Sequence, residues 1–335
     1  MVLHERRIEM NYQTVGKTGI KDSELAFGTM SFGSIADKEE SKKMFDLAVA
    51  KGINFFDSAN VYGGGKSEAF LGEFIAEKNR AEFVLTTKAF WPTSQNVNAS
   101  GLSRKNIIQS VEDSLKRLQT DYIDFYFVHD YDPNTPVETT LDTLDQLVKE
   151  GKILHPAVSN WSAWQMAKAL GIQSQKLLSR FELVEPMYSL VKRQAEVEIL
   201  PFAKEEQLGV ISYSPLGGGL LTGKYRHKEA SGRLIDDARY AARYGQEQTN
   251  RVAEEFTDFA AELGISPVTL AIAWVKKNPA VTAPIIGARN TEQLQPSLAA
   301  LDYELTDDIY QKLNELSITP QPATDRGEVL TGKFS

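Results

Sequence analysis

Three short apolar runs, INFFD (residues 53–57), FVLTTK (83–88) and IDFYFVH (123–129), each end on a polar residue. Runs of this length, rich in Phe, Ile and Val, read as buried strands. If they lie parallel in one sheet, Asp57, Lys88 and His129 emerge at the same end, and Tyr62, just beyond Asp57, joins them. A carboxylate, an ammonium, an imidazole and a phenol at one mouth have the composition of a proton-transfer site.

Working outward, further strands are expected at 25–29, 153–158, 178–183, 210–213 and 283–286, alongside 54–57, 83–87 and 123–128. Amphipathic stretches separate them. Asp37 and Glu40 form a capping-box pattern, Ser162 is a helix cap, and Ser266-Pro267 is a cap followed by proline at the first helical position. Gly52, Gly151 and Gly171 are expected helix stops. Strand and helix alternate about eight times at spacings of roughly 25–40 residues, the pattern of a (β/α)8 barrel. A doubly wound open sheet fits less well, because its first strand normally leads into a G-x-G-x-x-G turn and here it leads into GTMSFG. Residues 11–20 carry turn glycines and read as a hairpin before the first strand. Residues 216–250 read as a long insertion after strand seven, of the kind that forms lids or binding loops. No linker divides the chain, so residues 1–335 are expected to form a single domain, with 1–10 and 317–335 as peripheral tails.

Composition narrows the function classes. The 335 residues carry 37 Lys plus Arg against 45 Asp plus Glu, a net charge of −8, which speaks against nonspecific nucleic-acid binding. With no cysteine and four scattered histidines, thiolate chemistry is excluded and no metal site is expected. No leader-like segment and no membrane-length apolar run is visible, so a cytoplasmic enzyme or binding protein is the expectation.

At the carboxyl ends of barrel strands, Tyr62 is the candidate acid. Its ordinary pKa of ~10 is too high for easy donation, and an adjacent Lys88 ammonium is expected to lower it. Asp57 would orient Lys88, and His129 would polarise a substrate oxygen. Each residue alone has an ordinary structural explanation as a cap, a packing ring or a solvated end; their complementarity at one rim favours a site. GGGKSE (residues 63–68) resembles the end of a phosphate-binding loop, but the full pattern needs glycine where Asn60 stands. Two later segments suit a dinucleotide better: YSPLGGGLLTGK (213–224) after strand seven and PIIGARNTEQL (284–294) after strand eight. These loops form the usual phosphate pocket of this barrel; Arg289 can fork a phosphate and Tyr213 offers a flat ring.

Together with GINFFDSANVYGGGKSEAFLG, SLKRLQTDYIDFYFVH and VSNW, these motifs resemble the aldo-keto reductases over residues 11–316, most of all the prokaryotic-reductase and potassium-channel beta-subunit-like branches. The resemblance implies hydride transfer from NADPH to an aldehyde or ketone, NADH not being excluded, with no metal. It assigns Tyr62 as proton donor, tuned by Lys88 and Asp57, with His129 orienting the carbonyl. Ser159 and Asn160 match the pair that binds the nicotinamide carboxamide, and Tyr213 the ring that stacks on the nicotinamide. Ser214, Leu216, Gly218 and Lys224 lie on the pyrophosphate side, and Gly287, Ala288, Arg289 and Gln293 toward the adenosine 2′-phosphate and adenine.

Two positions depart from the family pattern. Glu185 stands where glutamine is usual; its charge is expected to favour the oxidised, positive nicotinamide. Ser297, after Pro296, replaces an asparagine near the adenine. Met30, Phe32, Phe90, Trp91, Tyr131 and Trp161 are expected pocket walls, suited to an aromatic or small apolar carbonyl substrate. Arg226, Arg233, Arg239 and Arg243 of the insertion are expected over the cofactor phosphates. Two rivals stay open: an aldolase-type lyase with Lys88 as Schiff-base nucleophile, and a regulatory binding module. Neither a nucleic-acid nor a membrane partner is expected, and the oligomeric state is not legible.

Overall fold

The computed structural model describes residues 10–226 and 232–328. An antiparallel hairpin, β1 (Tyr12–Thr14) with β2 (Lys21–Ser23), precedes eight parallel strands. These are β3 (Ala26–Gly28), β4 (Phe55–Asp57), β5 (Val84–Ala89), β6 (Ile123–Val128), β7 (Ile153–Ser159), β8 (Leu183–Glu185), β9 (Gly209–Ser212) and β10 (Ala283–Ile286). They pair in chain order, and β10 hydrogen-bonds to both β9 and β3, closing the barrel. The (β/α)8 fold and its hairpin are as expected.

Closure follows from residues that are apolar on both faces of each strand. Phe55, Val84, Phe125, Phe127, Ala157, Leu183, Ile211 and Ala283 point into the lumen and pack on one another. The alternate positions, among them Phe56, Leu85, Tyr126, Val128, Val158, Val184 and Val210, face the surrounding helices. Val15 and Ile20 from the hairpin join the lumen cluster and plug one end. The other end is where function can sit, because the same two-residue period carries the next lumen-facing positions out of the core. Those positions are Asp57, Lys88, His129, Ser159, Glu185 and Tyr213.

Helices Lys38–Ala50, Lys66–Ala76, Arg104–Leu118, Val137–Lys149 and Ala163–Lys176 follow β3 to β7 in turn. Asp37 caps the first, accepting from the Glu40 N–H at 2.9 Å. Glu40 does not complete the box: its carboxylate accepts from Thr291 N–H (2.6 Å) and Thr291 Oγ (2.9 Å), tying the first helix to the helix Thr291–Leu298 after β10. Gly52 and Gly151 follow helix ends with positive φ, as expected. Gly171 does not stop a helix; it lies inside Ala163–Lys176, which ends at Leu177 in the left-handed region.

The expected strand 178–183 is displaced. Residues 178–182 form a connection, and the strand is Leu183–Glu185, because the register with β7 pairs Ala157 with Leu183 and Ser159 with Glu185. The insertion is helical rather than a loop: 3-10 segments Gly217–Thr222 and Lys224–Arg226, then helices Arg233–Asp236 and Ala238–Tyr244. Residues 227–231 of the insertion, and 1–9 and 329–335 of the tails, lie outside the described residues. Among the described residues no single helix is long and apolar enough to cross a membrane.

Candidate active site

Lys88 occupies the centre of the open end and is completely buried. Its ammonium donates to Asp57 Oδ1 and to the Ser58 carbonyl at 2.9 Å. Asp57 Oδ1 also accepts from Thr86 Oγ at 2.6 Å. Across the lumen, the Lys88 nitrogen lies 3.2 Å from Glu185 Oε2. That oxygen is buried and has no hydrogen-bond partner, so its attraction to Lys88 is one of charge. One cation therefore faces two carboxylates.

The Tyr62 ring lies over Lys88, with Nζ 5.5 Å from its centroid. His129 meets Tyr62 edge-on, ring centres 6.1 Å apart and planes at 79°. Tyr62 is held by a tight turn in which Gly63 has φ 57° and its backbone packs on residue 32: a Cβ at Gly63 would sit 2.8 Å from the Phe32 carbonyl. The GGGKSE segment is thus a positioning turn. Ser67, the serine that a phosphate loop would use on a metal, is buried and bonded to Thr29 and Ser58.

Electrostatics differ from expectation at Tyr62. Burial pushes the phenol above its ordinary range, and Lys88 only partly offsets this, with Asp57 and Glu185 adding to the rise. Lys88 lowers the pKa relative to a site without it, but not below that of free tyrosine. Burial opposes the charge on Lys88, yet Asp57, Glu185 and Tyr62 outweigh it and hold the ammonium above the usual lysine range. Burial and then Lys88 depress His129 to about 3, so its imidazole is neutral. Glu185 is pushed up to about 8 by burial first and by Asp57 second, against the pull of Lys88.

A hydrogen-bonded chain runs across the neighbouring strand ends. Tyr213 OH donates to Asn160 Oδ1 (2.8 Å), and Asn160 Nδ2 donates to Ser159 Oγ (3.1 Å) and the His129 carbonyl (3.0 Å). Ser159 Oγ donates to the Glu185 carbonyl at 3.1 Å. Asn160 and Ser214 adopt positive φ, 60° and 59°, backbone conformations unusual outside glycine and often found at functional sites. Beyond Ser214 and Leu216, Gly218 has φ 67° and lies flat against two rings of the insertion: a Cβ there would be 2.9 Å from Tyr240 and 3.0 Å from Tyr244. Lys224 is exposed, its ammonium 4.7 Å from the Tyr225 ring centre.

After β10 come Gly287, Ala288 and Arg289, leading into Asn290, which caps the next helix by accepting from Gln293 N–H at 2.9 Å. Arg289 makes no ion pair among the described residues. Ser297 is buried, and the preceding Pro296 carbonyl accepts from Thr269 Oγ at 2.7 Å. A buried Glu185 carboxyl, a glycine-bearing loop beyond Tyr213 and an unpaired guanidinium at a helix entrance fit the chemistry of a nicotinamide dinucleotide.

Of the four insertion arginines, two are engaged otherwise than expected. Arg226 forms a two-pronged pair with Asp258 (2.6 and 3.0 Å), and Arg239 pairs with Asp237 at 2.7 Å. Arg233 and Arg243 flank the Tyr240 ring at 5.3 and 5.5 Å. Among the expected walls, Met30 and Trp91 are exposed, Phe90 packs edge-on to Trp91 at 5.0 Å, and Tyr131 is half-buried. Phe32 is buried among Phe27 and Phe74, and Trp161 between Tyr131 and Phe181. Trp164, the second residue of the helix Ala163–Lys176, is 61% exposed and 6.3 Å from the Tyr131 ring.

Comparison with known proteins gives the same picture from sequence. A family model described as the aldo/keto reductase family matches residues 24–318. The chain is 36% identical over 329 residues to the uncharacterized oxidoreductase YrpG of Bacillus subtilis (strain 168), covering 95% of this chain and 99% of that protein. It is 35% identical over 318 residues to a probable voltage-gated potassium channel subunit beta of Oryza sativa subsp. japonica (91% and 95% covered). Protein tas of Escherichia coli (strain K12) is 32% identical over 335 residues (91% and 96% covered). A closed eight-stranded barrel and a match of this extent leave one conclusion: the chain belongs to the aldo/keto reductase family of NAD(P)H-dependent oxidoreductases.

Proposed function

We propose that this protein reduces aldehydes or ketones to alcohols with NADPH, and that Tyr62 donates the proton. The observation that carries the reading is the stack of Lys88 beneath Tyr62, with Asp57 behind Lys88 and neutral His129 beside the phenol. The cofactor, when bound, supplies the hydride. Tyr62 then delivers a proton to the oxygen that gains negative charge, and Lys88 stabilises the phenolate left behind. His129, being neutral, donates a hydrogen bond to the same oxygen without competing as an acid. Ser159 and Asn160 would hold the carboxamide, Tyr213 the ring face, and Ser214, Leu216, Gly218 and Lys224 the pyrophosphate. Gly287, Ala288, Arg289 and Gln293 would hold the 2′-phosphate and adenine, which favours NADPH over NADH.

The aromatic rim of Phe90, Trp91, Tyr131 and Trp164 with Met30 suits aromatic or small apolar carbonyl compounds. An aldolase-type role for Lys88 is disfavoured, because a Schiff-base lysine must be a free amine and the hydrogen-bonded Asp57 carboxylate holds this one charged. Names among the relatives point to channel subunits, and a partner-binding role without turnover is the alternative they raise.

A panel of aldehydes and ketones, followed by loss of NADPH or NADH absorbance, tests the reading. Tyr62→Phe is expected to lower kcat by ~10²–10⁴-fold with cofactor affinity retained. Cofactor binding without turnover of any carbonyl would sink the enzymatic reading in favour of the binding module.

A further inference from the structure

Asp57, Lys88 and Glu185 form a buried group of two acids and one base, contributed by β4, β5 and β8. Fully ionised, it carries one net negative charge in a place closed to water, which is costly unless a further positive charge arrives. The groups facing Glu185 do not supply one: Tyr62 from the turn after β4, Ser159 from β7 and Tyr213 beyond β9 are uncharged, and His129 from β6 is neutral. Glu185 keeps an oxygen with no hydrogen-bond partner although its side chain is only 4% exposed. Its charge also bears on both Tyr62 and Tyr213, the proposed proton donor and the proposed ring platform. A glutamine here would leave the Asp57–Lys88 pair neutral whatever is bound.

Resting on the reading above, we propose that Glu185 is an acid–base partner of Lys88 that keeps the buried group neutral through the redox cycle: ionised when the bound cofactor is oxidised, protonated when it is reduced. The balance closes for alcohol oxidation. The carbinol carbon gives up a hydride, two electrons with one hydrogen, to the oxidised cofactor, and its hydroxyl proton leaves through Tyr62. Glu185 gains one proton as the alcohol loses one, so the enzyme complex releases no net proton to solvent during the chemical step. Reduction runs the same steps backwards. The raised affinity of Glu185 for a proton in the free protein agrees with this, since burial and Asp57 both favour its neutral form.

The test is calorimetric and needs no turnover. NADP+ and NADPH are titrated into the protein at neutral pH in phosphate and in Tris, buffers whose ionisation heats differ, and the number of protons exchanged is obtained for each. Binding of NADP+ is expected to release roughly half to one proton more than binding of NADPH; the phosphates common to both cofactors cancel. In Glu185→Gln the difference is expected to vanish, with NADP+ affinity falling about tenfold and NADPH affinity nearly unchanged. Equal proton counts for the two cofactors in the unaltered protein, or a difference that survives in Glu185→Gln, overturns the inference alone. Failure of either cofactor to bind overturns both it and the function it rests on.

Discussion

Lys88 and Glu185 come from strands three places apart around the barrel, yet the lysine nitrogen and a glutamate oxygen are 3.2 Å apart. Removing the lysine leaves Asp57 and Glu185 buried together with no cation. Lys88→Met is expected to destabilise the fold by about 3–5 kcal/mol, the usual result of stranding a buried charge. Adding Glu185→Gln removes one of the stranded acids, so the double variant should recover part of the loss. Denaturant melts of the three variants measure the coupling; additive effects would show that the two residues do not interact.

His129 is depressed from 6.5 to about 3 by burial and by Lys88. Between those values the unfolded chain binds a proton that the folded chain does not, so stability rises with pH across that window and is lost as pH falls through it. His129→Gln should flatten the acid limb of the melting-temperature profile between pH 6.5 and 3. A slope unchanged by the substitution would rule out the histidine as its source.

Asp22 behaves in the opposite sense. It is buried in the hairpin, neither side-chain oxygen has a partner, and burial pushes it up to about 8. From pH 3.8 to about 8 the folded form holds a proton that the unfolded chain has released, so stability falls as pH rises through that window and then levels off. Asp22→Asn is expected to stabilise the protein at pH 9 by on the order of 2 kcal/mol and to change little at pH 4. Thermal melts at the two pH values decide it.

Glu40 places a carboxylate on the Thr291 N–H at the entrance to the helix after β10, close in sequence to Arg289. Its charge opposes a phosphate drawn to the same helix end. Glu40→Gln keeps the acceptor oxygen and removes the charge. It should tighten NADPH binding by about two- to fivefold, as expected of a charge at a helix terminus, and leave NADH unchanged. Equal gains for both cofactors would mean that the 2′-phosphate lies elsewhere.

Much of this molecule was determined by local sequence. The two-residue period of the strands carries Asp57, Lys88 and His129 to the ends of apolar runs, and parallel pairing then puts them on one rim whatever the rest of the chain does. The glycine run after Tyr62, the capping residues and the glycine loops before the last helices are equally local. The tertiary structure decided what depends on partners distant in the chain. Strand β8 begins at Leu183 rather than five residues earlier because pairing with β7, not hydrophobicity, sets its register. Phe32 and Trp161 are buried because rings distant in the chain cover them, which no local pattern records. Glu185 gains its significance only when the closing of the barrel brings it to a lysine ninety-seven residues away. Period and propensity act over a few bonds, whereas charge and burial act through space.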